Sequence, residues 1–408
     1  MKSVQWKYLL VEAGLLILFC YLFLFAGFTD VFYNVDVLWV LTGIVTVTGV
    51  LLLVAKKPGP LPLRLPLLIF FVSCIISTLF SIDPRRSVDQ LFFFALTLFV
   101  FFASVQLVRS GVKEELIGKT ILVAGFLTTF VEFLNVVFWY RQWLNAMPGQ
   151  LIPTIAYRLP SSNIVIMFLN PLLFLIISTF FSTRTRFWKI TMILYALFVV
   201  FMIYLTSSRG GWLGTAAGLL CLILLSGKAG WMDWRRVWNW WKQHKIAWLV
   251  TAISIIILVA AGVYLISRQT IQPTHRVVSE ARVEFWPPAW QTFLKYPLIG
   301  QGLFTFNVDL LQTQSVPPFK IFVHAHDIPL NTLAETGILG EIALLILVVS
   351  LIVAFWRKFF KDRMLEPTLP MAAVAAFTGA CVHGLFDCYN QPFGFWLVVI
   401  LVGCALAK

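Results

Sequence analysis

The chain has 408 residues, of which 60% are hydrophobic and 12% charged, with a formal net charge of +13. An ordinary soluble domain carries roughly 25% charged residues, so an assembly of soluble domains is excluded and a polytopic helical membrane protein is indicated. In such a protein the cationic excess sets topology and meets anionic headgroups, so it is not the footprint of a nucleic-acid binder.

Twelve apolar runs read as spans, near 8–27, 36–54, 65–81, 90–107, 119–139, 163–181, 190–206, 211–226, 247–266, 337–356, 370–386 and 391–407. The first follows Lys2 and Lys7 like a secretory leader, but lacks a small-residue cleavage site and is read as a span. Starting inside, twelve crossings return the C-terminus inside. The inner segments then hold most of the 31 Lys and Arg residues, and among the short loops only the Arg85–Arg86 turn runs against the bias. Cytoplasmic retention of positive charge predicts this distribution. The organisation is therefore 1–266 with nine spans, 267–336 as one long outer loop, and 337–408 with three further spans.

The inner segment GKAGWMDWRRVWNWWKQHK sets five tryptophans among basic residues, as in an amphipathic helix lying on anionic lipid. In the outer loop, SEARVEFW reads as a short helix capped by Ser279 and ended by Pro287-Pro288. The six cysteines show no CxxC spacing and sit mostly in apolar runs, so they read as core residues without a disulfide or zinc framework.

Polar chemistry collects on the outer face. His275, His324, His326 and His383 lie there, with His244 alone inside. So do Arg209 in TSSRGGW beside Ser208, Arg158 in YRLPSSN, and Arg276 and Arg282 in HRVVSEARVEF. Outer arginines oppose the topological bias, and a guanidinium fork suits phosphate oxygens. Arg209, wedged between two spans with almost no loop, is assigned a function on that ground. Arg158 and Arg276 lack that constraint and are balanced between phosphate recognition and contact with headgroups.

The stretch FVHAHDIPLNTLAETGILG brings His324 and His326 to the mouth of a span. Asp327 caps the coming helix, with Pro329 harmless in its first turn. His326 then precedes a helix N-terminus, which favours a neutral imidazole, attracts anions and suits a general base. An interfacial capping histidine is the plainer alternative. A metal site would need a third ligand from Asp327, His383 or Asp387, and no HExxH, EF-hand loop or outer DxD supports one, so neither metal nor cofactor is expected. Glu335, about two and a half turns beyond His326, reads as an interfacial hydrogen-bonding group or a partner for an arginine.

Three of these segments carry a resemblance. TSSRGGWLG is similar to a Ser-Arg-Gly turn of the O-antigen ligase and polymerase family. Arg282 through Trp286 and Pro297 to Gly300-Gln301-Gly302 is similar to its loop segment. His326-Asp327, nine residues, then Gly337-Ile338-Leu339-Gly340 has the spacing of the ligase signature. Asp327 departs from the Asn, Ser or Gln usual there, which leaves open another acceptor. The resemblance implies a GT-C-like all-α fold of about twelve spans in the bacterial inner membrane, with an extracytoplasmic active site. It implies transfer of a glycan from a polyprenyl-diphosphate carrier to a hydroxyl acceptor, with lipid A-core preferred. In that scheme Arg209 and Arg282 neutralise the diphosphate, His326 takes the acceptor proton, and the anomeric centre inverts without a metal. Arg158, Arg276, His324, Ser208 and Glu335 would line the substrates. An O-antigen polymerase and a protein O-oligosaccharyltransferase share this chemistry. A transporter fits less well, because its ionisable groups gather near the bilayer midplane, where this chain places few beyond Glu132.

Overall fold

The computed structural model describes residues 59–146, 162–206, 208–243, 253, 285–308, 324–360, 368–388 and 392–407. These are all-helical, without a strand among them. In chain order the helices are α1 (Arg64–Leu79), α2 (Pro84–Arg109), α3 (Glu114–Ala146), α4 (Ser162–Ser182), α5 (Arg186–Leu205), α6 (Arg209–Leu225) and α7 (Trp234–Gln243). They continue with α8 (285–295), α9 (Ile328–Phe360), α10 (Thr368–Gly384) and α11 (Pro392–Leu406). All but α7 and α8 coincide in order with expected spans. Five helices (α2 to α5 and α9) are long and apolar enough to cross a membrane, and α1, α6, α10 and α11 are shorter apolar helices. The expected spans near 8–27, 36–54 and 247–266 lie almost wholly outside the described residues.

Stripes of bare apolar side chains mark the faces these helices turn outward. Leu345, Val349, Ile352 and Trp356 follow one face of α9, and Ile193, Leu197, Val200 and Tyr204 one face of α5, all exposed. Recurring every three or four residues along a whole helix, they form a hydrocarbon-facing belt.

Inside the bundle α10 is the axis, packed against α4, α6 and α11. Its Met371-Ala372-Ala373-Val374-Ala375-Ala376 run is buried all round, because small side chains let neighbouring helices approach on every side. The face of α6 does the same with glycine. A Cβ on Gly214 would stand 2.6 Å from the Gly379 carbonyl oxygen of α10, and one on Gly211 would stand 2.4–2.9 Å from the Ile166 side chain of α4. Asn170 ties this seam, donating to the Gly211 carbonyl at 3.1 Å and accepting from the Thr215 hydroxyl at 2.6 Å.

Helix ends gather at two levels. At one level Arg109 donates to the Ala407 and Pro60 carbonyls, Thr368 Oγ1 donates to Ser182 Oγ at 2.6 Å, and Lys228 lies over Phe360. At the other lie the turn at 80–87, the starts of α4, α6 and α9, the end of α10 and residues 300–307.

There α9 is broken. Gly337 adopts φ 65° and ψ −167°, which interrupts the helix about two and a half turns after it starts. Freed backbone groups must find partners. The segment 297–302 supplies them: Ile338 and Leu339 donate to the Pro297 and Leu298 carbonyls at 2.9 and 3.2 Å, while Gln301 and Gly302 donate to Ala334 and Glu335 at 3.1 and 3.0 Å. A Cβ on Gly337 would meet the Leu298 backbone at 2.5 Å, so both the angle and the close approach require glycine.

One expectation is overturned. Pro287-Pro288 does not end a helix; α8 runs through both and on to residue 295. Residues 279–284, which would have formed the expected helix, lie outside the described residues.

Candidate active site

Residues 324–327 lead into α9, and the cap forms as the sequence implies. Asp327 Oδ1 accepts the Leu330 amide at 2.8 Å and its carbonyl accepts the Asn331 amide at 2.9 Å, with Pro329 in the first turn. Burial pushes the Asp327 carboxyl above its ordinary range, opposed by that Leu330 hydrogen bond. Asn331 Oδ1 accepts from the amide of the fully buried Ala325 at 3.1 Å. Phe285 and Ala289 of α8 form a small apolar cluster under the turn with Phe306, Ala325 and Ala334.

Fixed on both sides, His326 takes a left-handed conformation with φ 52°. That costs about 1 kcal/mol or more for a residue with a Cβ and persists only where the surroundings impose it. The His324 and His326 rings are brought edge to face, with centroids 4.2 Å apart at 66°. His324 Nδ1 accepts from the His326 backbone amide at 3.3 Å, so in the neutral ring the proton resides on Nε2.

The turn closing α10 meets this pair. Asp387, buried, places Oδ1 2.9 Å from His326 Nδ1, and the same oxygen accepts the Cys388 amide at 2.9 Å. An ionised carboxylate only accepts, so Nδ1 donates and Nε2 is left with the lone pair. Burial, then the charge of Asp387, pushes the Cys388 thiol well above its ordinary value, so it stays protonated and is no nucleophile. One ligand atom from each of His324, His326 and Asp387 lies within 4.8 Å of the others, a set able to hold a metal ion.

The structure places the remaining candidates unevenly. Arg209 opens α6, whose start abuts the Asp387 turn: a Cβ on Gly210 would stand 2.8 Å from Phe386 Cβ and 3.2 Å from His383 Cδ2. Ser208 caps that helix, accepting from the Gly211 amide at 3.2 Å and donating to Asn163 Oδ1 at 2.6 Å. Glu335 is buried beneath the site, its carboxylate taking the Phe304 and Phe306 amides and the Asn331 side chain. Among the described residues it pairs with no arginine. Arg158, Arg276 and Arg282 lie outside the described residues.

Sequence reasoning weighed Asp387 only as a metal ligand and passed over Asn331 altogether. The signal for Asp387 was a carboxylate confined to the short polar gap between two apolar runs. For Asn331 it was an amide side chain one turn past the cap.

Helices turning apolar stripes outward around a buried axis, with a polar site at one end, make this a multi-pass membrane protein. The O-antigen ligase family model matches residues 193–345, less than half of the chain, and supports the O-antigen ligase/polymerase family. The match takes in α6 to α8 and the start of α9, hence Arg209 and His326, and stops short of Asp387. A glycosyltransferase-like function of the ligase/polymerase type goes with that family. No curated protein matches the chain.

Proposed function

We propose that the protein is an O-antigen ligase-type glycosyltransferase that moves a glycan from a polyprenyl diphosphate to an acceptor hydroxyl at the outer face of the bacterial inner membrane. The observation that carries this reading is the 2.9 Å contact between Asp387 Oδ1 and His326 Nδ1. Asp387 holds the imidazole in the tautomer that carries the lone pair on Nε2, as a general base requires. The acceptor oxygen attacks the anomeric carbon and the bond from that carbon to the diphosphate oxygen breaks. The acceptor proton passes to His326 Nε2, and polyprenyl diphosphate departs with inversion at the sugar.

The developing charge on the diphosphate needs preorganised cations in a site with little water. Arg209 is the first of these, presented by a helix start that Ser208 caps and that abuts the Asp387 turn. Arg282 is the second, with Arg158 and Arg276 toward the rest of the donor. His324 offers an Nε2 hydrogen to a glycan or phosphate oxygen. Glu335 serves the substrates indirectly, by fixing Asn331 and the 304–306 backbone under the histidines. Cytoplasmic termini and an extracytoplasmic site follow from the charge bias.

The test is transfer by the purified protein in lipid, supplied with a polyprenyl-diphosphate-linked glycan and lipid A-core. Glycan on lipid A-core, reduced by about 10²-fold or more in His326→Ala, is the expected result. A lengthening ladder on the carrier would make the protein a polymerase. Undiminished transfer by the variant would remove His326 from the mechanism.

A further inference from the structure

We propose that His324, His326 and Asp387 also form a binding site for a borderline transition cation, Zn2+ or Co2+, and that its occupancy switches the transfer site off. The site holds two imidazoles and one carboxylate, the ligand types that take these metals at about 2.0–2.2 Å in tetrahedral geometry. Their ligand atoms lie within 4.8 Å of one another. One edge is already close to the required size: the 2.9 Å from His326 Nδ1 to Asp387 Oδ1 compares with roughly 3.3 Å between ligands of a tetrahedral zinc. The left-handed backbone of His326 brings the two rings of a His-x-His sequence to one side instead of splaying them. The His326 side chain remains 15% exposed, which leaves an approach for a hydrated cation, whereas Asp387 at 3% supplies the charge from below.

The consequence follows from the tautomer. In the neutral dyad the proton sits on Nδ1 and the lone pair on Nε2. A cation taking Nδ1 moves that proton to Nε2 of the same ring. His324 ligates through Nδ1, giving up the His326 amide as that nitrogen's donor and keeping its proton on Nε2. No proton is lost at either ring, but the His326 nitrogen that would accept one from the acceptor hydroxyl is now a donor. Three protein ligands leave a fourth position for water, so the arrangement persists without substrate. Mg2+ and Ca2+, which prefer six or more oxygen ligands, find two nitrogens here and are passed over. Occupancy does not depend on the transferase reading; the inhibitory consequence rests on it.

The experiment uses tag-free full-length protein in neutral-lipid nanodiscs, titrated with Co2+. The expected result is visible absorption of a four- or five-coordinate cobalt reaching its limit at one equivalent. It should be lost in His326→Ala and Asp387→Ala and weakened at least tenfold in His324→Gln, with unchanged thermal unfolding in the absence of metal as the check on folding. Zn2+ should displace the cobalt and abolish transfer over the same concentration range. A chelator should restore the rate, and Mg2+ should do neither. Absorption that is absent, or indifferent to all three substitutions, overturns the site. Zinc that displaces cobalt without slowing transfer overturns the switch. A protein that transfers nothing even when free of metal would defeat the proposed function, while the cobalt spectrum still decides occupancy.

Discussion

A buried carboxylate facing one nitrogen of an imidazole does two things at once: it selects the tautomer and it fixes the ring plane. Replacing Asp387 by Asn keeps the size but leaves a weaker acceptor and a rival donor, so His326 loses its preferred tautomer. The expected outcome is a fall in kcat of about 10- to 100-fold with little change in the KM of either substrate, measured beside thermal unfolding that stays put. A matching rise in KM would show that Asp387 acts on binding instead. Asn331 holds the same turn from the other side, by accepting the buried Ala325 amide and contacting Glu335. Asn331→Leu strands that amide, which costs about 1–3 kcal/mol. The variant should unfold at lower temperature and lose turnover as the left-handed His326 relaxes. Unchanged activity would separate the histidine from this support.

At the scale of elements, glycine decides a backbone contact between α6 and α10 that a larger residue does not permit. Gly214→Val would push a branched side chain into the Gly379 carbonyl, and backbone cannot rotate away as a side chain can. Separating α6 from α10 in this way is expected to cost about 1–3 kcal/mol or more and to displace Arg209 relative to His326. The check is a lowered unfolding temperature together with weakened donor binding. The amphipathic helix α7 forms where the sequence placed it, capped by Asp233, with Trp234 and Trp238 exposed and Lys242 stacked over Trp238. Its expected partner is an anionic bilayer. Trp234→Ser with Trp238→Ser should abolish any extra thermal stability gained on adding phosphatidylglycerol to neutral nanodiscs, and an undiminished gain would remove the assignment. Helix starts and stops were legible wherever a local cause sets them, as Asp327 and Pro329 do. Pro287-Pro288 was misread as a stop, because a proline pair usually ends a helix, yet α8 continues through both to residue 295.

At the scale of the molecule, the apolar runs were legible among the described residues because hydrocarbon demands length and composition, both written locally. Which ends meet was less legible. The Asp387 to His326 contact joins residues 61 positions apart through α9 and α10, and no local pattern in one sequence encodes that pairing. The Arg85–Arg86 exception to the charge bias gains a reason only in three dimensions: Arg86 Nη1 donates to Asn307 Oδ1 at 2.9 Å and Nε pairs with Asp83 at 3.2 Å. A residue bound into the site end is held there by its partners and need not obey loop statistics. The sidedness is open to direct test in a cysteine-free background. An impermeant thiol reagent applied to intact spheroplasts should label Leu385→Cys and leave Thr185→Cys unmodified until the membrane is opened. The reverse pattern would invert the orientation and with it the location of the chemistry.

The break at Gly337 also bears on how the chain is made. A helix entering the bilayer with the amides of Ile338 and Leu339 unsatisfied would carry a penalty of several kcal/mol for each such group. Those amides find their acceptors in Pro297 and Leu298, on a stretch that leaves the ribosome earlier and, in the proposed orientation, must first be exported. Lateral release of α9 from the insertion machinery and the seating of the exported loop are therefore one coupled event, with the loop acting as an assembly template. Nascent chains in which 297–302 is replaced by a flexible linker should stall with α9 accessible to alkaline extraction. Efficient integration of such chains would show that the helix settles first and recruits the loop afterwards.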